Sequence, residues 1–489
     1  MINNIDQQLA PQQVQFDDLL TQAESTPRPS KTSNVDEPNG SDKRTITTPN
    51  IDQQIKLQQV KFANLLTQAH STSGVPEAFN IDEENRTITR TVTTRDGEKI
   101  ESTLPMATGL SPTADPCSLF DYSWLRLKDW PSIPTLATDK DSIQLVDLFS
   151  GCGGLSMGIW EACRALGLSL DNVLAADIDE EARKNYAANF ACKQILEEPL
   201  DQVINGDFNA PPTASEEALI QSVEQIDLLV GGPPCQGHSN LNNHTRHVDP
   251  KNELILRMAR FAQLVDVRHI IIENVPTIVR DRTNALQTTR EMLHHLGYNV
   301  QFINTLNASD YGVAQNRNRF FLVASKDHDV HDIEKNIKLH KVEEARTFMW
   351  ACGDLENLEA DDLFNTQPDI SDVNKERIRV LFEENRYELR DKDRPDCHKL
   401  KDHTYPSVYG RLRPDEPSPT ITRGFGGMGQ GRYVHPTKER MITPHEAARL
   451  QFFPDFFQFD TEYRKSYQHM IGNAVPSKFA YLLALHLLR

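Results

Sequence analysis

The chain has no long apolar runs: across 489 residues nothing approaches the roughly 20 consecutive apolar side chains of a membrane-spanning helix. Met1 to Ala10 is polar rather than the apolar core of a signal peptide, so the expected compartment is the cytoplasm. Cysteine is scarce. Cys117, Cys152, Cys163, Cys192, Cys235, Cys352 and Cys397 are odd in number, scattered and without a C-x-x-C pair, which excludes a disulfide framework and a zinc ribbon; reduced thiols and no metal are expected. Basic charge is also short. With 52 Lys and Arg against 70 Asp and Glu the net charge is -18, so a protein coated in basic surface is excluded, while a local basic cleft is not.

What is present is a soluble globular composition, 38% hydrophobic and 25% charged, on a chain long enough for two or more domains. The first hundred residues hold a duplication. Asn4-Ile5-Asp6-Gln7-Gln8, Gln12-Gln13-Val14-Gln15-Phe16 and Leu19-Leu20-Thr21-Gln22-Ala23 return as Asn50 to Gln54, Gln58 to Phe62 and Leu65 to Ala69, and Arg-Thr-Ile-Thr recurs at Arg44 and Arg86. Phe16, Leu20 and Ala23, with their counterparts Phe62, Leu66 and Ala69, share one helical face. The segments at about 4–26 and 50–72 therefore predict an arm for a protein partner or self-association. Pro27 to Asp42 reads as disordered linker, and Arg86 to Leu104 as a hairpin around Asp96-Gly97.

From about Asp141 apolar strands alternate with amphipathic helices, which predicts an α/β fold with a parallel sheet. The expected strands are Gln144–Phe149, Asn172–Ala176, Ile226–Val230, His269–Ile272 and Arg319–Ala324. The expected organisation is an extension over 1–115, a linker over 116–142, a main domain over 143–325, a smaller domain over 326–462 and a terminal helical segment over 463–489 that returns to the main domain.

Candidate site residues sit where strands give way to glycine and proline. Leu145-Val146-Asp147-Leu148-Phe149 runs into Ser150-Gly151-Cys152-Gly153-Gly154 and a helix, a turn whose backbone N–H groups suit a nucleotide-type ligand. Asp177 ends the next strand, where a carboxylate can hold ribose hydroxyls. Asp207, in Asn205-Gly206-Asp207-Phe208, stands at a further candidate strand end, suited to an adenine amino group. Ile226 to Val230 leads into Gly231-Gly232-Pro233-Pro234-Cys235-Gln236-Gly237, which fixes one thiol in a stiff turn. Glu273 follows three apolar residues, so burial should raise its pKa. Gln315, Arg317 and Arg319 alternate along an entering strand and are expected on one face, where two guanidiniums suit phosphate or a base carbonyl.

Asp147 to Gly154, Pro233-Pro234-Cys235-Gln236, Glu273-Asn274-Val275, Gln315-x-Arg317-x-Arg319 and Gly472-Asn473-Ala474-Val475-Pro476 occur in that order. The succession resembles the bacterial-type DNA (cytosine-5)-methyltransferases over roughly 143–489, less the stretch between about 326 and 410. The resemblance implies a Rossmann-like methyltransferase fold that uses S-adenosyl-L-methionine, with the smaller domain recognising a double-stranded DNA target. It implies Cys235 as the nucleophile toward cytosine carbon 6, Glu273 at N3, Arg319 at O2 and Arg317 in support. Asp147, Phe149, Gly151, Gly153, Gly154, Asp177, Ile178, Asp207, Phe208, Pro234, Asn473 and Val475 would frame the cofactor. Gln236, Ser239 and Arg246, in or beside a loop closing over DNA, and Arg411, Arg413, Arg423 and Arg432 in a glycine-rich basic segment, would meet the DNA. A restriction endonuclease partner is implied too. An RNA-directed relative and a DNA-binding regulator without turnover are the competing readings. His238 departs from the aromatic residue that often follows this loop's glycine.

Overall fold

The structure is a computed structural model that describes residues 76–111, 113–134, 142–223, 225–234, 253–327, 332–399 and 407–489. All of them fall in one of the chain's two compact units, Ala63–Arg489. The duplicated segments at about 4–26 and 50–72 lie outside the described residues, as do Cys235, Gln236, Ser239 and Arg246.

The alternation ahead of the main domain becomes a three-stranded antiparallel sheet: β1 (Glu77–Asp82), β2 (Thr87–Thr93) and β3 (Lys99–Pro105). Ile88, Arg90 and Val92 on β2 and Ile100, Ser102 and Leu104 on β3 face inward. Gly97, at φ 88, turns the hairpin that joins them.

Pro116–Leu125, expected within a linker, is instead a helix. Asp115 caps it by accepting from the Ser118 N–H, and Ser118 to Leu125 are all buried. It is buried on every side, Ser118, Asp121 and Ser123 included, because the sheet covers one flank and Trp124 stacks on Phe452 on the other, so it presents no solvent face for an amphipathic period to mark.

The main sheet has seven strands in the order β6-β5-β4-β7-β8-β11-β9. Here β4 is Ile143–Leu148, β5 Leu170–Ala176, β6 Cys192–Leu196, β7 Ile226–Gly231, β8 Val267–Asn274, β9 Asn299–Asn307 and β11 Asn318–Ser325. Five of the expected strands are present; β6 and β9 lie outside that set. The strands from β6 to β8 pair in parallel, and β11 inserts antiparallel between β8 and β9. Leu145 faces the layer of helices Gly154–Ala165 and Ser477–Leu488, while Val146 and Leu148 face the layer of Leu254–Leu264 and Ala285–His295. Strand order reverses between β4 and β7, so the loops leaving their carboxyl ends part and open a crevice.

Helices Ile333–Lys338, Phe348–Cys352 and Asp372–Glu383 fill the irregular stretch after β11. A short parallel pair, β10 (Gln315–Asn316) with β12 (Ser418–Pro419), ties the later segment to the main domain.

Candidate active site

The first loop of the crevice is built by backbone conformations that few residues tolerate. Phe149, Gly151 and Gly153 have φ of 62, 53 and 99, and Gly151 has open space where a Cβ would stand. The Asp177 carboxylate accepts from the Gly151 N–H at 2.8 Å and the Asp179 N–H at 2.9 Å, so it sets the loop as well as lining it. Beside it Ile178 is 71% exposed, an apolar side chain held out at the mouth of the crevice. Glycine at 154 is required by close approach: a Cβ there would stand 2.5 Å from the Val475 carbonyl oxygen. The Gly472 to Pro476 stretch is thereby pressed onto the loop, with Asn473 exposed and Val475 buried.

Two expected cofactor residues sit differently. Asp147 is fully buried beneath the loop, where it accepts from the Ser156 hydroxyl at 2.6 Å, and the Ser156 hydroxyl lies 2.8 Å from that of Tyr186. Burial pushes its carboxyl up to about 7, and it underpins the loop rather than facing the crevice. Asp207 is exposed but not at a strand end. Its turn is set from afar: Glu216 accepts from the Gly206 N–H and is gripped through both oxygens by Arg260, at 3.0 and 2.7 Å. Phe208 packs edge-on against His295.

The second half of the site is the carboxyl end of β7 and β8. Asn274 donates to the Pro233 carbonyl at 3.3 Å, and a Cβ at Gly232 would stand 3.3 Å from Glu273 Oε2. The turn that carries Pro234 toward Cys235 therefore passes directly over Glu273. Phe321 on β11 pairs with Glu273, so Arg319 at the start of β11 lies alongside, its Nε 2.5 Å from Glu273 Oε1. Glu273 is 8% exposed, and burial raises its pKa against the opposing pull of Arg319 and Arg317.

Gln315 and Arg317 do not join that pair. Between them and Arg319 the chain passes from β10 to β11. Arg317, 1% exposed, donates to the carbonyls of Ile421 (2.5 Å), Ala474 (2.9 Å) and Gly472 (3.2 Å). Gln315 donates to Leu450 O and Gln451 Oε1 and accepts from the Ile421 N–H. Arg317 thus ties Ile421 to the Gly472 to Pro476 stretch, and Gln315 ties Ile421 to Leu450 and Gln451.

The basic segment divides as well. Arg411 is turned inward under Phe382 and Tyr387, donating to the Pro436 carbonyl, and Arg432 is spent on Glu388 and on the carbonyls of Tyr387 and Arg411. Both guanidiniums are occupied by partners within the protein. Arg413, over Tyr387, and Arg423 remain exposed.

Residues the sequence reading passed over organise this region. Thr443 and Glu446 form a capping box at Pro444–Leu450, and Glu446 also binds Arg440 through both oxygens. The signal was legible as Thr-x-x-Glu with a proline in the first turn.

Residues 143–489 match the C-5 cytosine-specific DNA methylase family. The Type II methyltransferase M1.BsuMI of Bacillus subtilis is 47% identical over 396 residues, covering 81% of this chain and 91% of that one. The Type II methylase M.HgiDII of Herpetosiphon aurantiacus is 29% identical over 70% of this chain and 93% of its own. Among solved structures, an E. coli protein described as a DNA modification methyltransferase encoded within a prophage superposes with a TM-score of 0.51 at 24% identity, over 71% of this chain and 99% of that one; this likeness speaks for the fold.

Proposed function

The chain belongs to the C-5 cytosine-specific DNA methylase family, and from that premise we propose that its reacting centre is Cys235 with Glu273 and Arg319. As a family member it is an S-adenosyl-L-methionine-dependent enzyme that methylates carbon 5 of cytosine in DNA, on a base flipped from the duplex and held as a covalent cysteine adduct. The observation that carries the assignment is the turn at Gly232 to Pro234 laid over a buried Glu273 whose Oε1 meets Arg319 at 2.5 Å.

The roles follow from charge. Thiolate addition at carbon 6 pushes electron density onto the ring. Glu273, its pKa raised by burial, offers a proton or hydrogen bond to N3, while Arg319 stabilises charge at O2. The ring carbon so activated takes the methyl group, and loss of the carbon 5 proton releases Cys235. The cofactor supplies an electrophilic methyl on sulfur. The open space at Gly151, the Asp177 carboxylate and the exposed Ile178 suit its loop-side binding, ribose and adenine respectively, with Phe149, Gly153, Asn473 and Val475 completing the frame. Asp147 supports this cradle from below.

We further read the target as a specific duplex sequence met by Arg413, Arg423 and the loop carrying Gln236, Ser239 and Arg246, and the biological role as the modification half of a restriction-modification pair. That role rests on the relatives described as Type II methyltransferases. The duplicated arm is assigned to a protein partner or a second copy, and the location to the cytoplasm at the nucleoid. Among the described residues no helix is long and apolar enough to cross a membrane. Bisulfite sequencing of DNA from expressing cells tests activity and context together. Protected cytosines in one recurring sequence are expected, with Cys235→Ala reducing conversion to background; full protection by that variant removes Cys235 from the mechanism.

A further inference from the structure

β8 does not end at the reacting centre. After Glu273-Asn274-Val275 the chain enters a 3-10 turn, Pro276–Arg280, and reaches the helix Ala285–His295 through Asp281 to Asn284. Ile278, 2% exposed, pins this turn into the core, and the turn packs against β11 and β9. Asp281 fixes the far end by accepting from the N–H groups of Thr283 and Ala285 and from the Thr283 hydroxyl. The result is a stiff protrusion rather than a loose loop.

Its tip is Val279, Arg280, Asp281 and Arg282. Val279 is 52% exposed, both arginines are exposed, and neither arginine has an ion pair or hydrogen bond among the described residues. Several other surface arginines are neutralised, Arg379 by Glu376 and Glu383 and Arg268 by Asp327, while Arg423 shares the exposed, unpaired state. The one carboxylate between Arg280 and Arg282 is already occupied by capping donors.

From Glu273 to Arg280 the backbone spans no more than about 20 Å, given extended and 3-10 rises. That is roughly six base steps at about 3.4 Å each. A cytosine seated on Glu273 and Arg319 brings its own strand within reach of these guanidiniums.

We propose that Pro276–Asn284 is a sequence-independent DNA contact in which Arg280 and Arg282 bind phosphates of the target strand flanking the flipped cytosine. The inference rests on the placement of the reacting centre at Glu273 and Arg319. Phosphate contacts position a duplex without reading it, so this protrusion anchors the target strand while the smaller region supplies specificity.

The test is binding of the full-length protein to a duplex oligonucleotide of arbitrary sequence across a salt series. Wild type is compared with Arg280→Gln/Arg282→Gln and with the charge-keeping Arg280→Lys/Arg282→Lys. Loss of two phosphate contacts lowers the slope of log affinity against log salt by about 1.8. The Gln pair should show that drop and at least a tenfold weaker affinity at about 100 mM salt, the Lys pair should keep the wild-type slope, and Arg379→Gln should change neither. A Gln pair with wild-type slope and affinity overturns the proposal. Glu273→Gln separates the two readings: if it still methylates at the wild-type rate, the reacting centre is misplaced whatever the salt slopes show. A wild type that binds no duplex overturns both.

Discussion

Two buried glutamates, each beside arginine, do opposite things. Glu161, on the helix Gly154–Ala165, is gripped by Arg164 through both oxygens at 2.7 and 2.8 Å and met by Arg90 of the amino-terminal sheet at 2.9 Å. Its pKa falls despite burial. Glu273 has one arginine on one oxygen, and its pKa rises. In the Glu161 cluster cations meet both carboxylate oxygens, whereas Arg319 meets only Oε1 of Glu273, whose Oε2 faces the turn at Gly232 that leads to Cys235. Saturation marks structure; incompleteness marks chemistry.

The sharpest way to break this contrast is Glu161→Ala, which strands Arg90 and Arg164 in the core. A loss of about 3–5 kcal/mol in urea unfolding is expected. Turnover per folded molecule should change far less, and a variant as stable as wild type would show that the cluster is not holding the sheet.

Glu273→Gln should do the reverse: kcat lower by about 100–1,000-fold, with unfolding shifted by no more than about 1 kcal/mol. Because the folded pKa of Glu273 is raised, its proton-donor form is lost as pH rises through that value. The wild-type rate should fall on the alkaline side in a limb that the variant lacks, and an identical limb in both would assign it elsewhere.

Saturated carboxylates predict the acid behaviour. Glu446, bound by Arg440 and close to His435, is held at about 2, well below the usual value near 4.5, as is Glu77 beside His340. A lowered folded pKa stabilises above the unfolded value and is lost as pH falls, so each should cost roughly 3 kcal/mol between about pH 5 and pH 2. Glu446→Gln should flatten that fall by a comparable amount in acid titration of the folded state.

Strand ends were readable because an apolar run stopped by glycine and proline has few alternatives, which is why Phe149, Asp177 and Glu273 could be placed without coordinates. Pairing partners were not. Arg317 and Arg319 follow one alternation, yet one reaches Ile421 and Ala474 and the other Glu273, because a change of strand falls between them. Asp207 missed its strand because the turn is made by Glu216 and Arg260. The helix Pro116–Leu125 escaped notice because its polar residues, Ser118, Asp121 and Ser123, are buried with the apolar ones and mark no solvent face. Arg411 and Arg432 looked like DNA contacts because charge alone does not say whether a carbonyl or a carboxylate is already waiting.

The amino-acid sequence by itself determined the family, the α/β sheet and the residue types at its carboxyl edge, since these depend on local periodicity and on turns that glycine and proline dictate. Only the tertiary structure decided which charges are spent within the protein and which remain free. Burial and pairing are set by neighbours far along the chain, and they separate Arg319 from Arg317 and Glu273 from Glu161.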